Sequence, residues 1–191
     1  MRTVPWWAVL SSACAPVLLI GGWQLAAARQ PGGFDPVDHT ISALAARGAT
    51  QPWIMTTALV GVGVCHAITA AGLASAAVPG RALLAAGGAA TVALAALPLP
   101  VTGDSPAHVA AASIAFSALS LWPAFAARRG AMPGPVVCRC AAVGLLGLLS
   151  WFGVGYFDYF GEGSRIGLSE RVLAGAQALW PLVAVLLARR R

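Results

Sequence analysis

The chain has 191 residues, of which 59% are hydrophobic and only 9% are charged, and its mean hydropathy is +0.79. A soluble domain carries roughly 25% charged residues, so this composition excludes an ordinary soluble protein and indicates one membrane-embedded domain. The net charge is +6, but the basic residues are all arginines scattered at loop ends, without the basic groove that would indicate nucleic-acid binding. The alanine- and arginine-rich usage is typical of a GC-rich bacterial genome.

Six apolar stretches predict the fold. A membrane-spanning helix needs about 20 mostly apolar residues. The stretches that meet or approach this length are about 4–28, 52–77, 82–101, 106–127, 136–160 and 170–188. Pro52, Pro106 and Pro135 lie at or just before helix starts, where a missing backbone N–H costs little. We therefore predict an all-α polytopic membrane protein, a bundle of six transmembrane helices in a single domain.

The first stretch has a second interpretation, because residues 26–28 are all alanine and resemble the cleavage site of a secretory signal. Its apolar part is long for a signal peptide, and only Arg2 precedes it. We expect an uncleaved span.

The arginines predict the orientation. With the N-terminus inside, eight arginines fall on the inner side and four on the outer side. The positive-inside rule then predicts that both termini lie in the cytoplasm. We expect the protein in the plasma membrane. His39, His108 and all six acidic residues fall at the outer ends or in the outer loops; the acids are Asp35, Asp38, Asp104, Asp158, Glu162 and Glu170.

The first outer loop, residues 29–51, is the longest connection. Asp38 or Thr40 can cap a short helix that Gly48 ends. Ile41 and Leu44 would share one side of it. This pattern predicts a short amphipathic helix that lies on the membrane or on the bundle.

Asp104 and His108 lie four residues apart, so a helix places them on one side. A carboxylate and an imidazole in this arrangement can bind a divalent metal ion or share a proton, and Asp38 would complete a ligand set. In the structural alternative, Asp104 or Ser105 caps the helix that Pro106 begins. Capping does not explain His108.

A second group of polar residues on the outer side is predicted to bind a lipid headgroup or a membrane partner. Its members are Asp38, His39, Ser42, Glu170 and Arg171. In the structural alternative, Asp38 caps the loop helix, Glu170 complements the dipole in the first turn of the sixth span, and Arg171 extends toward the interface.

His66 is the only ionisable side chain near the middle of a span. A haem would need a second axial ligand at the same depth, and His108 lies near the outer end of its helix. We therefore expect His66 to hydrogen-bond to a neighbouring helix. Glycines within the spans, such as Gly63 and Gly88, predict close helix packing.

Several short motifs resemble the uncharacterised six-span bacterial and archaeal membrane proteins grouped as domain of unknown function 998. They are Asp38-x3-Ser42 with Leu44, the proline-rich end of the third span, Gly103-Asp104 with His108, Ala111 and Phe116, Gly167-Leu168-x-Glu170-Arg171, and Trp180. The resemblance covers nearly the whole chain. It implies a six-helix membrane bundle and no established activity.

Two functions follow from these residues, and they leave open whether the protein is an enzyme. The first is binding of a lipid or membrane partner at the outer polar residues. The alternative is a metal-dependent lipid hydrolase, in which Asp38, Asp104 and His108 hold an ion that activates water. A proton-coupled transporter is disfavoured because no acid lies near the bilayer midplane.

Overall fold

The computed structural model describes residues 4–103, 105–130, 133–157 and 165–189. Within these ranges the chain forms six α-helices and one short 3-10 helix. The α-helices are α1 (Trp6–Ala27), α2 (Trp53–Gly72), α3 (Val78–Ala96), α4 (Pro106–Ala126), α5 (Pro135–Tyr156) and α6 (Ile166–Arg189). Each is long and apolar enough to cross a membrane, which confirms the predicted all-α fold with six spans.

Proline marks three of the helix starts, as predicted. Pro52 immediately precedes α2, while α4 and α5 begin at Pro106 and Pro135. The last helix differs from the prediction, since α6 begins at Ile166 and places Glu170 in the second helical turn. The prediction that Glu170 complements the dipole in the first turn is therefore wrong, because that effect falls off beyond the first turn.

The helices form a closed ring in chain order, in which each packs against the next and α6 returns to α1. The connections between successive helices lie at alternate ends of the ring. The loop end carries the α1–α2 loop, the α3–α4 turn and the start of α6, and the opposite end carries the α2–α3 turn and the α4–α5 loop. α5 is the most peripheral helix, and its buried residues are Cys138, Ala142 and Leu145.

The small residues predicted to permit close packing do so between α2 and α3. A Cβ atom on Gly63 would overlap the carbonyl oxygen of Gly88, and a Cβ atom on Gly88 would overlap that of Gly63. In lipid, where helix association depends on close packing more than on the hydrophobic effect, such contacts hold neighbouring spans together.

The α1–α2 loop differs from its prediction. In place of an amphipathic α-helix it contains one 3-10 turn, Ser42–Ala45. Thr40 Oγ1 accepts a hydrogen bond from the Ala43 N–H at 3.1 Å. Ile41 and Leu44 are buried against α1 and α2. The apolar residues therefore anchor the loop against the bundle.

Candidate functional site

Glu170 is the acidic side chain that joins the loop to the bundle. Its side chain is buried, with 3% of its surface exposed. Oε2 accepts a hydrogen bond from the Ile41 backbone N–H, and Oε1 lies 3.4 Å from the Ser42 hydroxyl, which donates to it. The helix α6 thus presents a carboxylate to the start of the 3-10 turn, and this carboxylate satisfies loop groups that water does not reach.

Arg171 holds the preceding part of the same loop. Its Nη1 group donates to the carbonyl oxygens of Pro36 and His39, both at 2.7 Å, and to that of Gly167 at 2.9 Å. The guanidinium carbon lies 5.8 Å from the centre of the Phe34 ring, within cation–π range. Nη1 of Arg171 therefore binds the backbone of the loop, while its buried Nη2 has no hydrogen-bond partner among the described residues.

The backbone of α6 approaches the loop closely at Gly167. A Cβ atom there would lie 2.7 Å from the Pro36 carbonyl oxygen and would overlap that of His39. The next residue, Leu168, donates its backbone N–H to the Val37 carbonyl at 2.9 Å. We call Gly167, Leu168, Glu170 and Arg171, with residues 36–42 of the loop, the loop-anchoring cluster.

The five predicted binding residues thus divide into two groups. Ser42, Glu170 and Arg171 hold the loop-anchoring cluster together through their side chains. His39 contributes its carbonyl to it, while its exposed ring accepts from the Asp35 N–H at 2.9 Å and stacks on Phe34 at 5.3 Å. Asp38 is exposed on the loop. The structure therefore brings together residues 130 positions apart in the chain, but it leaves the side chains of Asp38 and His39 outside the buried contact.

His108 lies at the α3–α4 turn and is buried, with 6% of its surface exposed. Its Nδ1 is 2.7 Å from the Leu97 carbonyl oxygen, so the ring ties the end of α3 to the start of α4. Ser105 caps α4, because its hydroxyl accepts from the His108 N–H at 3.3 Å. Asp104, its predicted partner, lies outside the described residues.

Among the described residues no three histidine, cysteine or acidic side chains are grouped closely enough to hold a metal ion. The predicted ligand set Asp38, Asp104 and His108 includes a residue outside that part of the chain. The metal site and the hydrolase that depends on it stay predictions.

Beneath the loop-anchoring cluster, a cavity extends into the ring. About 50 Å³ of it is open to the centres of water-sized molecules. Most of the side chains around it are apolar. Its polar lining residues are Ser42, His66, Thr91, Glu170 and Gln177. We call this space the central cavity.

The polar groups of the central cavity lie at different depths. Glu170 and Gln177 lie on one side of α6, and the rise of a helix separates them by about 10 Å. Gln177 Nε2 donates to the Phe116 carbonyl and to the Ser120 hydroxyl, both at 2.9 Å. These bonds join α6 to α4 and leave the carbonyl oxygen of the Gln177 amide for another donor.

His66 lies in the deep part of the cavity, and its surroundings differ from the predicted hydrogen bond to a neighbouring helix. Its ring is 1% exposed, and Nδ1 has no hydrogen-bond partner among the described residues. The expected hydrogen bond to a neighbouring helix is therefore missing at this atom. Gln177 was not predicted as a site residue. A glutamine two helical turns after Glu170 in an apolar span nevertheless indicates a polar site on the same side of the helix.

The six described helices, each long and apolar enough to cross a membrane, define an integral, multi-pass helical membrane protein. The chain belongs to the family described as protein of unknown function (DUF998), whose profile matches residues 13–187. The family match confirms the resemblance seen in the sequence motifs. Neither a curated protein nor a solved structure matches the chain.

Proposed function

We propose that this membrane protein binds a lipid whose headgroup carries hydrogen-bond donors, and that the headgroup occupies the central cavity. The observation that carries the proposal is one cavity lined by Glu170 and Ser42 near the loop end and by His66 and Gln177 further in. Ionisable groups inside a membrane bundle are costly, so their placement around one cavity favours a binding role.

The free hydrogen-bonding capacity of the cavity selects the ligand class. The Glu170 carboxylate also accepts from the Ser42 backbone N–H, but the bond from the Ser42 hydroxyl to Oε1 is long at 3.4 Å, and a stronger donor can replace it. The Gln177 amide oxygen is a second acceptor, and His66 Nδ1 has no hydrogen-bond partner in the part of the chain that the structure describes. An acceptor-rich cavity with one carboxylate matches an ammonium group or a set of hydroxyls.

The size of the cavity supports a headgroup and excludes a whole lipid. About 50 Å³ of the cavity is open to the centres of water-sized molecules, far below the roughly 300–1,000 Å³ of pockets that hold drug-sized ligands. A space of this size admits a compact polar group such as ethanolamine or glycerol. The acyl chains would remain in the bilayer.

The other predicted residues have supporting roles in this proposal. Arg171 holds the loop over the cavity, and Asp38 and His39 lie exposed on that loop, where an arriving headgroup meets them. The distribution of arginines favours an extracytoplasmic loop end in the plasma membrane, with both termini in the cytoplasm. The ligand would then come from the outer leaflet.

Native mass spectrometry of delipidated protein with added lipids tests the proposal. We expect retention of phosphatidylethanolamine or phosphatidylglycerol over phosphatidylcholine, whose headgroup has no donor. Loss of a hydrogen bond to a charged group costs about 1.5–3 kcal/mol, so Glu170→Gln should weaken binding roughly tenfold or more. Thr57→Val is the control, because Thr57 is exposed and its hydroxyl bonds only to carbonyls of its own helix.

Equal retention of all three lipids, unchanged in Glu170→Gln, would overturn the proposal. Since Glu170 also anchors the loop, Gln177→Leu provides a second test within the cavity. It removes the deeper acceptor and leaves the loop contacts intact.

The alternative function, a metal-dependent lipid hydrolase, has its own test. Metal analysis of the purified wild type beside His108→Ala would support it if a stoichiometric ion disappears in the variant. His108→Asn is the matched variant, since its side-chain amide can still reach the Leu97 carbonyl, and it separates loss of metal from loss of that bond.

A further inference from the structure

A second pocket lies at the opposite end of the ring, between the α2–α3 turn, α4, α6 and the start of α5. Its lining includes Ser75, Trp122, Pro133, Cys138 and Trp180. We call it the tryptophan pocket. It is separate from the central cavity, and neither pocket shares a lining residue with the other.

Unsatisfied polar atoms are concentrated in this pocket. Five buried side-chain atoms in the described part of the chain lack a hydrogen-bond partner, and three of them belong to its lining: Ser75 Oγ, Trp122 Nε1 and Trp180 Nε1. Trp122 is 1% exposed, so bulk water does not reach its N–H group. Each such orphan costs about 1–3 kcal/mol, and three around one space indicate a missing occupant.

The chemistry of these atoms defines the occupant. An indole N–H only donates, and a serine hydroxyl can donate, so the occupant presents an acceptor oxygen. Among the described residues that line the pocket none is charged, which favours a neutral acceptor over an anion. It contains about 280 Å³ of atom-free space but only about 10 Å³ open to the centre of a water-sized molecule, which is room for one oxygen atom.

The surroundings identify the source of that oxygen. Trp122 lies four residues before the end of α4, about 6 Å below it. Beyond that end, Arg128, Arg129 and Arg139 are exposed, and the α2–α3 and α4–α5 connections contain no acid. A phospholipid has the same order of groups, with neutral ester carbonyls just inside an anionic phosphate.

We propose that the tryptophan pocket binds the ester carbonyl of a phospholipid, with Trp122, Trp180 and Ser75 as donors and the arginine-rich rim facing the phosphate. This site is independent of the lipid proposed for the central cavity. It lies in the other leaflet, and it selects a lipid by its ester linkage, where the central cavity selects by headgroup.

Comparison of ester-linked and ether-linked phospholipids with the same headgroup tests this site. An ether lipid has no carbonyl oxygen. The protein, isotope-labelled at its tryptophan indoles, is placed in nanodiscs of each lipid, and the indole N–H resonances are recorded by NMR. Trp122→Phe and Trp180→Phe assign the two resonances. Trp6, on the first turn of α1 at the same end and 72% exposed, is the control.

We expect the Trp122 and Trp180 resonances to move upfield in the ether lipid, because their acceptor is lost, while Trp6 stays unchanged. A shift confined to either pocket tryptophan supports the proposal. If neither moves, or if Trp6 moves equally, the proposal is overturned and a water molecule becomes the occupant. Should Trp122→Phe fail to fold, Trp180→Phe assigns one pocket resonance and the test still decides.

Discussion

Substitution of Gly167 by alanine directly perturbs the contact between α6 and the α1–α2 loop. The added Cβ would overlap the His39 carbonyl oxygen and lie 2.7 Å from that of Pro36, and both are backbone atoms that cannot rotate away. Release of the loop would cost the hydrogen bonds of Glu170 and Arg171, each worth about 1.5–3 kcal/mol. A strained but attached loop costs about 1–3 kcal/mol as an overpacked site. We therefore expect Gly167→Ala to lower the free energy of unfolding by about 2 kcal/mol.

Unfolding with sodium dodecyl sulfate in mixed micelles measures this loss. Gly144→Ala is the matched control, because a Cβ on Gly144 of α5 meets nothing within 4 Å. An alanine there should leave stability unchanged or raise it by about 0.5–1 kcal/mol through helix propensity. If Gly167→Ala proved as stable as Gly144→Ala, the close approach of α6 to the loop would be refuted.

Two further substitutions test the packing. Arg171→Met keeps the length of the side chain but removes its hydrogen bonds to Pro36 and His39, so we expect faster proteolysis in the loop and about 2 kcal/mol lower stability. Arg171→Lys should recover part of the protease resistance and part of the stability. Equal proteolysis of the Arg171→Met variant and the wild type would contradict the role of Arg171 in holding the loop. Gly63→Ala should destabilise by about 1–3 kcal/mol, because α2 and α3 must separate, whereas Gly147→Ala meets open space. Equal unfolding curves for these two variants would contradict the α2–α3 contact.

Local patterns in the sequence were sufficient to predict the six membrane-spanning helices. Apolar runs of about 20 residues and prolines at helix starts are properties of neighbouring residues, so they predict helices without knowledge of their partners. The structure begins α6 at Ile166, four residues before the predicted start. The sequence places the start at Glu170, because Ile166 and Gly167 follow a polar loop and the charged pair Glu170 and Arg171 resembles a membrane boundary.

The candidate site depended on long-range contacts, which the sequence indicates only in part. Ser42, Glu170 and Arg171 were selected as polar residues on one side of the membrane, but no local pattern shows that the loop backbone lies against α6. The same limit applies to His66, since a histidine in a span has a predictable need for a partner but no predictable geometry. Gln177 could have been found from its spacing to Glu170.

The bond between Glu170 and the Ile41 backbone N–H also has a consequence for biosynthesis. Its partners are 129 residues apart in the chain, and translation at about 5–20 residues per second separates their synthesis by roughly 6–26 seconds. Throughout that interval the first loop has no carboxylate to bind its N–H and no guanidinium to bind its carbonyls. The nascent protein therefore passes through a stage in which five spans are synthesised but the ring is open, and the emergence of α6 closes it.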